Sequence, residues 1–487
     1  MNFRIISYIL GWVLIIESAF LMTPFFVGLY YGENTAISFL IAAGLTLIVG
    51  TPFVIKKPRN TVFFVKEGFV SVALCWIVLS IFGALPFVFS GEIPHFVDAL
   101  FETVSGFTTT GSSILSDVES LSHASIFWRS FTHWIGGMGV LVFLLAILPL
   151  AGGSQMHLMR AESPGPSVSK LVPKTQYTAI ILYSLYIILT IIQFLLLLAG
   201  KMPAFEAIIT TFGTAGTGGF GIKNDSIASF SPYIQWVVGI FMVLFGVNFN
   251  IYFLLVLKRF KQAICNEELR AYFSIVATST ILIFLNIHQG GANIADEIRH
   301  AFFQVASIIT TTGYATTDFD LWPTLSKVIL VTIMFIGASA GSTGGGIKVS
   351  RILILFKRAR QEIRHYFHPN RVTKIKLEDK VLDGEVIHAT SAYLITYVFI
   401  FAISLLLVSI EGHDTTTCFT SVAATLNNIG PGLSMVGPTQ NFGFFNCFSK
   451  IVLIFDMLVG RLELFPMLML FNPHVWIHRK KRNKKAA

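Results

Sequence analysis

The sequence predicts an all-α polytopic membrane protein. Four pseudo-symmetric repeats, each running span, pore helix, filter turn and span, surround a central pore, and two extra transmembrane helices precede them. Three observations predict this. The chain has 487 residues, 54% hydrophobic and only 13% charged, with a mean hydropathy of +0.71, and runs of ~20 apolar residues, enough to cross a bilayer, recur from end to end. The tetrapeptide Thr108-Thr109-Thr110-Gly111 returns letter for letter as Thr310-Thr311-Thr312-Gly313, with looser versions at Gly216-Thr217-Gly218-Gly219 and Asn427-Asn428-Ile429-Gly430. These turns end at positions 111, 219, 313 and 430, a domain-sized spacing of 108, 94 and 117 residues. Finally, the Lys and Arg clusters fall between the repeats, on the side away from the turns, as cytoplasmic loops require.

The elements follow in order. Residues 1–66 form a two-helix extension with spans near 3–31 and 35–55, closed by Lys56, Lys57, Arg59 and Lys66. The first apolar run is too long for a signal h-region and lacks a small-residue cleavage site. Repeat 1, residues 67–175, has a span at 68–90 and then residues 94–107, too short to cross and return. That segment reads as a half-helix stopping at Thr108; a long span at 125–150 follows, then Arg160, Lys170 and Lys174. Repeat 2, residues 176–269, has spans at 177–199 and 234–257, a half-helix at 205–212, and closes on Lys258, Arg259 and Lys261. Repeat 3, residues 270–384, has a span at 272–287, a half-helix at 298–309 and a second span from Ser326. That span dissolves into Gly-Ala-Ser-Ala-Gly-Ser-Thr-Gly-Gly-Gly at 337–346, before Lys357, Arg358, Arg360, Arg364, Arg371, Lys374 and Lys376. Repeat 4, residues 385–487, has spans at 388–410 and 448–471, a half-helix at 415–426 and the basic tail Arg479-Lys480-Lys481-Arg482.

A glycine in each turn lets the backbone take positive φ, so carbonyls can point at a common centre. Rings of such carbonyls replace a cation's water shell in selective pores. Half-helices ending there would turn the negative ends of their dipoles toward the cavity. A single copy reads equally as a helix-ending turn with glycine at C′; four copies at a domain-sized period favour the ring. Only one glycine per repeat is common to all four turns, which implies fewer fixed carbonyls and looser discrimination. Gly344-Gly345-Gly346 disfavours helix by ~1 kcal/mol per residue against alanine. Irregular backbone at membrane depth survives only where buried or facing water, so this loop is expected to line the pore. Ile347 separates Gly346 from Lys348, so the Walker pattern is absent; a passive kink is the other reading. Arg461 stands ~14 residues into the last span, ~20 Å down, where a charge usually faces the interior or water. It reads as a fixed positive barrier to cations, or as a residue that snorkels inward, pairing with Glu463 or Asp456. Lys348 and Arg351 either support the loop or anchor at the inner leaflet. Acids near the turns (Glu92, Asp98, Glu102, Glu119, Asp225, Asp318, Asp320, Glu411, Asp414) either draw cations to the outer mouth or serve as ordinary loop carboxylates.

These motifs resemble the Trk/Ktr/HKT superfamily of potassium transporters, and within it the TrkH subunits. The resemblance is carried by the four turns, Phe127-Trp128-Arg129 with Gly136-Gly137-Met138-Gly139, Gly341-Ser342-Thr343-Gly344-Gly345-Gly346-Ile347-Lys348, and Gly460-Arg461-Leu462-Glu463. It covers nearly the whole chain. It implies a filter for potassium, rubidium also admitted, built from Thr109, Thr110, Gly111, Thr217, Gly218, Gly219, Thr311, Thr312, Gly313, Asn428, Ile429 and Gly430. It implies a gate of Gly341, Gly344, Gly345, Gly346, Lys348 and Arg461. The second turn departs from the pattern: Gly219 is aligned with Gly111 because Gly219-Phe220 follows the family's form, and Gly216 stays open as the alternative. The resemblance further implies a homodimer in the bacterial inner membrane with both termini cytoplasmic, and a TrkA-like nucleotide-binding ring docked on the basic inner face. Nucleotide is therefore expected on the partner, and no other cofactor on this chain.

Other classes find little support. The +9 net charge lies in short loops and the tail, where it sets orientation, and is no nucleic-acid footprint. Paired histidines, clustered carboxylates and nucleophile constellations, which an enzyme would need, are not evident; His123, His133 and His157 are scattered. Cys75, Cys265, Cys418 and Cys447 share no metal-like spacing, although Cys418 and Cys447 flank the fourth turn where a disulfide could form. The remaining alternative is an ion-coupled symporter of another solute, which would typically use inverted repeats with substrate at the midplane.

Overall fold

The computed structural model describes residues 1–58, 65–139, 175–288, 293–370, 374–378 and 380–476. The inner end of the span expected at 125–150, Arg59, Arg160, Lys170, Lys174, Arg371, His157 and the tail 479–482 lie outside these residues. Among the described residues, six helices are long and apolar enough to cross a membrane, and a seventh if one sharply bent pair counts as a single span. The chain is a multi-pass helical membrane protein.

Two helices, α1 (Phe3–Tyr31) and α2 (Ala36–Ile55), form the leading hairpin. Glycines let them pack closely: a Cβ added to Gly11 would lie 2.8 Å from the Phe53 Cβ, and one on Gly50 2.9 Å from the Leu14 Cβ. In lipid such close backbone approach replaces the hydrophobic drive between helices.

Each of the four units that follow has the same three helical parts. The outer spans are α3 (Val65–Ser90), α6 (Thr175–Ala199), α11 (Glu267–Ile287) and α15 (Gly384–Ser409). The half-helices are α4 (Phe96–Phe107), α7 (Ala204–Ala215), α12 (Ile294–Ile309) and α16 (Thr415–Leu426). The inner helices are α5 (His123–Gly137), α8 (Pro232–Phe245), α13 (Thr324–Ile336) and α17 (Cys447–Arg461). Between them come the short α9 (Phe249–Val256) and α10 (Phe260–Ile264), and the basic α14 (Val349–Phe367). Side-chain oxygens of Ser122, Ser231 and Asn446 accept from Ser125, Ile234 and Ser449 amides to start three of the inner helices. At α16 the Asp414 carboxylate caps the Thr417 amide and accepts its hydroxyl, and these bonds hold the carboxyl below the usual aspartate range. Among the described residues the apolar core forms two large masses: mainly the hairpin with repeats 1 and 4, and mainly repeats 2 and 3 together.

Two spans read as continuous are broken. The expected helix 234–257 ends at Phe245 and bends by 91° into α9. The freed Phe245 and Gly246 carbonyls accept from the Thr343 and Ser339 amides at 3.4 and 3.1 Å, so backbone from another repeat satisfies them. The expected helix 448–471 stops at Arg461 and resumes as α18 (Phe465–Leu470). Glu463 and Leu464 have φ of 58° and 67°, and the Leu464 amide closes on the Val459 carbonyl at 2.9 Å. With α13 ending at Gly337 and α5 at Met138, all four inner helices stop after 13–15 residues. The Cys418–Cys447 disulfide that the spacing left open is not formed: Cys418 is buried, Cys447 is exposed, and both are free.

In detergent, a maleimide should modify Cys265 and Cys447 and spare Cys75 and Cys418 until the protein is denatured, as mass spectrometry would read. Equal reactivity of all four thiols would contradict the packing described.

Candidate functional site

The four half-helices end in one way. Thr109, Thr217, Thr311 and Asn428 take φ of 55°, 55°, 59° and 55°. The next residue's amide reaches back five positions: Thr110 to Ser105 O, Gly218 to Gly213 O, Thr312 to Ser307 O and Ile429 to Ala424 O, at 2.8–2.9 Å. This is the Schellman closure, with a left-handed residue at C′. Asparagine adopts that conformation fairly readily, whereas a β-branched threonine there is an outlier. Strain of this kind persists where surroundings over-determine it, and it clusters at functional sites.

Two residues past each left-handed residue stands a glycine, also left-handed: Gly111, Gly219, Gly313 and Gly430, with φ of 80°, 81°, 84° and 100°. Gly216 has φ −71° and caps α7, which runs three residues beyond the expected end at Phe212. The structure therefore places Gly219, not Gly216, in register with Gly111.

The four glycines meet in a closed cycle. A Cβ on Gly111 would lie 2.0 Å from Gly218 O, on Gly219 1.9 Å from Thr312 O, on Gly313 2.2 Å from Ile429 O, and on Gly430 2.9 Å from Thr110 O. Each glycine thus abuts the carbonyl just ahead of the next repeat's glycine, and the fourth returns to the first. All four line the floor of an outer cavity of about 160 Å³.

Side chains behind the ring hold it. Ser112 Oγ donates to Gly430 O at 3.0 Å, joining repeats 1 and 4. Asn428 Nδ2 donates to Thr110 Oγ1 and to Met457 O, both at 2.9 Å. Tyr314 Oη donates to Phe220 O at 3.1 Å. His133, fully buried, lies 2.7 Å from Gly106 O through Nδ1, while its Nε2 accepts the Phe220 amide at 3.2 Å. Those partners require the Nδ1–H tautomer, so His133 is a bridging core residue.

The glycine loop at 337–348 lies directly beneath. Gly345 N donates to Thr311 Oγ1 at 2.6 Å and Gly346 N to Asn427 O at 3.1 Å. A Cβ on Gly345 would sit 2.3 Å from Asn427 O, and one on Gly344 2.8 Å from Thr310 O. Gly337, Gly341 and Gly346 have φ of 72°, 68° and 74°. Lys348 is buried and its ammonium folds back onto Gly344 O, so it supports the loop instead of anchoring at the leaflet. Arg461 donates to Thr343 O at 2.8 Å and to the Gly136 and Gly137 carbonyls. The expected partners of Arg461 are taken elsewhere: Glu463 pairs with Arg351, and Asp456 accepts from Ser404 at 2.6 Å. Gly344, Gly345, Gly346, Lys348, Arg461 and Glu463 line a cavity of only about 20 Å³, room for about one water.

Sequence reading missed the loop's outer support. Glu268, buried at the start of α11, accepts from the Ala340 and Ser350 amides at 2.7 and 3.2 Å and so ties both arms of the loop. A lone acid flanked by helix-start signals gave no hint of this. The outer acids proved mostly structural: Glu92 accepts from Ser122, Glu411 from Asn446, Asp320 from Ser434, and Asp98 pairs with Lys450.

Comparison with known proteins was consistent across sequence and structure. The TrkH family model, described as a cation transport protein, matches residues 36–477. The Trk system potassium uptake protein TrkH of Salmonella typhimurium is 39% identical, covering 98% of this chain and 100% of the relative. TrkG of Escherichia coli, also a Trk system potassium uptake protein, is 32% identical over 97% of this chain and 98% of its own length. The crystal structure of the potassium transporter TrkH from Vibrio parahaemolyticus superposes with a TM-score of 0.88 at 33% identity, covering 98% of this chain and all of that one.

Substituting Gly219 or Gly313 by alanine should destabilise the fold by about 1–2 kcal/mol for the left-handed backbone alone, more with the carbonyl clash. Gly221→Ala, whose added Cβ would meet nothing closer than 3.7 Å, should stay within about 0.5 kcal/mol. Thermal unfolding in detergent checks the contrast.

Proposed function

This chain belongs to the TrkH family of cation transport proteins, and from that premise we propose that it carries potassium across the bacterial inner membrane through a pore with one carbonyl filter. The observation that carries the reading is the closed cycle Gly111–Gly219–Gly313–Gly430 against the Gly218, Thr312, Ile429 and Thr110 carbonyls. Four strands joined this way present peptide oxygens to one axis, where they replace an ion's hydration shell. The filter comprises residues 109–111, 217–219, 311–313 and 428–430. Each half-helix ends there, so its negative dipole end favours a cation beneath the ring. The repeats, read as 67–175, 176–269, 270–384 and 385–487 after a 1–66 extension, are parallel with their turns at one level. That arrangement favours a pore over the midplane site of an inverted-repeat symporter.

Gly341, Gly344, Gly345, Gly346, Lys348 and Arg461 form the gate. In the state described, the loop is bonded to the filter's underside and Arg461 is bonded to the loop, so one guanidinium both blocks cations by its charge and latches the loop shut. Opening requires those carbonyl bonds to break together. The basic inner face, including residues 357–380 and the tail, offers a docking face for a TrkA-like nucleotide-binding ring, and two copies of this chain would form a homodimer upon it. Both termini are cytoplasmic in this orientation.

In liposomes, the purified chain should take up rubidium down a potassium gradient without a second solute. Uptake that strictly requires a co-substrate would sink the pore reading. Arg461→Ala should raise that uptake severalfold, since it removes both the positive barrier and the tie to Thr343; lower uptake at equal reconstitution would count against the latch.

A further inference from the structure

The Phe127-Trp128-Arg129 stretch contributes a buried charge that transport through the ring does not itself require. Arg129 on α5 is only 2% exposed, and Glu102 on α4 only 1%. The guanidinium grips one carboxylate oxygen twice: Nε lies 2.7 Å and Nη2 2.6 Å from Glu102 Oε1. Taking two charges out of water is costly, and the attraction compensates only when geometry and further hydrogen bonds are good. Here they are. The carboxylate also accepts from Ser113 Oγ at 3.0 and 3.1 Å and from the Ile114 amide at 3.0 Å. Ser113 and Ile114 lie just past Gly111, so Glu102 ties the outgoing filter strand of repeat 1 to its own half-helix.

The arginine carries that tie across to repeat 2. Its guanidinium carbon sits 4.0 Å above the Phe220 ring, and Phe220 directly follows Gly219. The His133 ring and the Tyr314 hydroxyl clamp the backbone of Phe220 from repeats 1 and 3. The planar guanidinium thus bonds a carboxylate at its edge and stacks on an aromatic face, a pair of roles lysine cannot fill together.

Among the described residues, the charged brace occurs in one repeat. Glu102 stands five residues before the end of its half-helix; Thr210, Gln304 and Ser421 stand five before the ends of theirs. Gln304 makes a weaker version, donating to Thr317 O at 3.3 Å. Ser421 bonds only within its own helix, to Cys418 O. The charged pair therefore stiffens one side of an otherwise pseudo-symmetric ring.

We propose that the Glu102–Arg129 pair is a positioning element that fixes the spacing of the first two filter strands and so sets the preference for potassium over sodium. This rests on the reading of the ring as a potassium filter. A short filter has few fixed carbonyls, so its discrimination depends on how rigidly the few are held. Sodium is smaller than potassium by a fraction of an ångström, and a strand free to move by that much admits it.

The test is the potassium-to-sodium flux ratio of the full chain in liposomes. Glu102→Gln combined with Arg129→Gln leaves no unpaired buried charge, and Arg129→Lys keeps the charge but removes the two-pronged grip. Both should still conduct potassium, the double variant with its potassium preference reduced about fivefold or more and Arg129→Lys with a smaller loss. Should the double variant fail to fold, the ratio for Arg129→Lys decides alone. A wild-type ratio in whichever variant folds would overturn the proposal while leaving the filter reading intact. A wild-type chain that carries sodium as readily as potassium, or neither, would overturn the filter reading and this proposal with it.

Discussion

Everything in this molecule is arranged around a left-handed turn at the end of four short helices. Thr109, Thr217, Thr311 and Asn428 hold positive φ, and that single conformation lets the chain leave each helix, cross toward the axis and turn outward again at a glycine. The Schellman bonds occupy the carbonyls one and two positions back from each helix end. An unsupported threonine would abandon this conformation, so the environment must hold it. Buried hydrogen bonds from Ser112, Asn428, Tyr314 and His133 supply that support. The outer spans and the leading hairpin keep lipid away from these polar groups, which would otherwise be unsatisfied in hydrocarbon.

The same rule explains the layer beneath. Each inner helix ends after 13–15 residues, and helix ends expose carbonyls that need donors. The glycine loop of repeat 3 supplies some of them: its amides bond Phe245 O and Gly246 O at the end of α8, and also Asn427 O at the end of the half-helix α16, while Arg461 bonds Thr343 O together with the end of α5. The glycine loop and the ring of turns are therefore one hydrogen-bonded network. Displacing the loop breaks its bonds to repeats 2, 3 and 4 together, along with the Arg461 bridge between the loop and the end of α5.

Much of this was legible in the sequence. The repeat order, the half-helices and the ring glycines follow from hydropathy, segment length and the repeated Thr/Gly turn, because those signals are local. Gly219-Phe220 points to Gly219 over Gly216, but what settles it is how far α7 runs, and Ala215 offers no stop signal. The breaks after Phe245 and Arg461 were also hidden. An apolar run reads as one helix, and only the docking of Ser339 and Thr343 from another repeat makes the break tolerable. The role of Glu102 was misplaced for a similar reason. A carboxylate near a turn looks like a rim charge until Arg129, 27 residues later, is folded against it. Sequence pattern reports periodicity and propensity well; pairings between repeats emerge only when the chain closes on itself.

The central claim is that four peptide strands enclose one dehydrated monovalent cation. Anomalous scattering from crystals grown in rubidium tests it most directly. The account predicts a peak on the axis of the ring, bounded by the Thr110, Gly218, Thr312 and Ile429 oxygens, that weakens when potassium competes. Rubidium scattered elsewhere with none inside the ring, or density there for a larger solute, would contradict it.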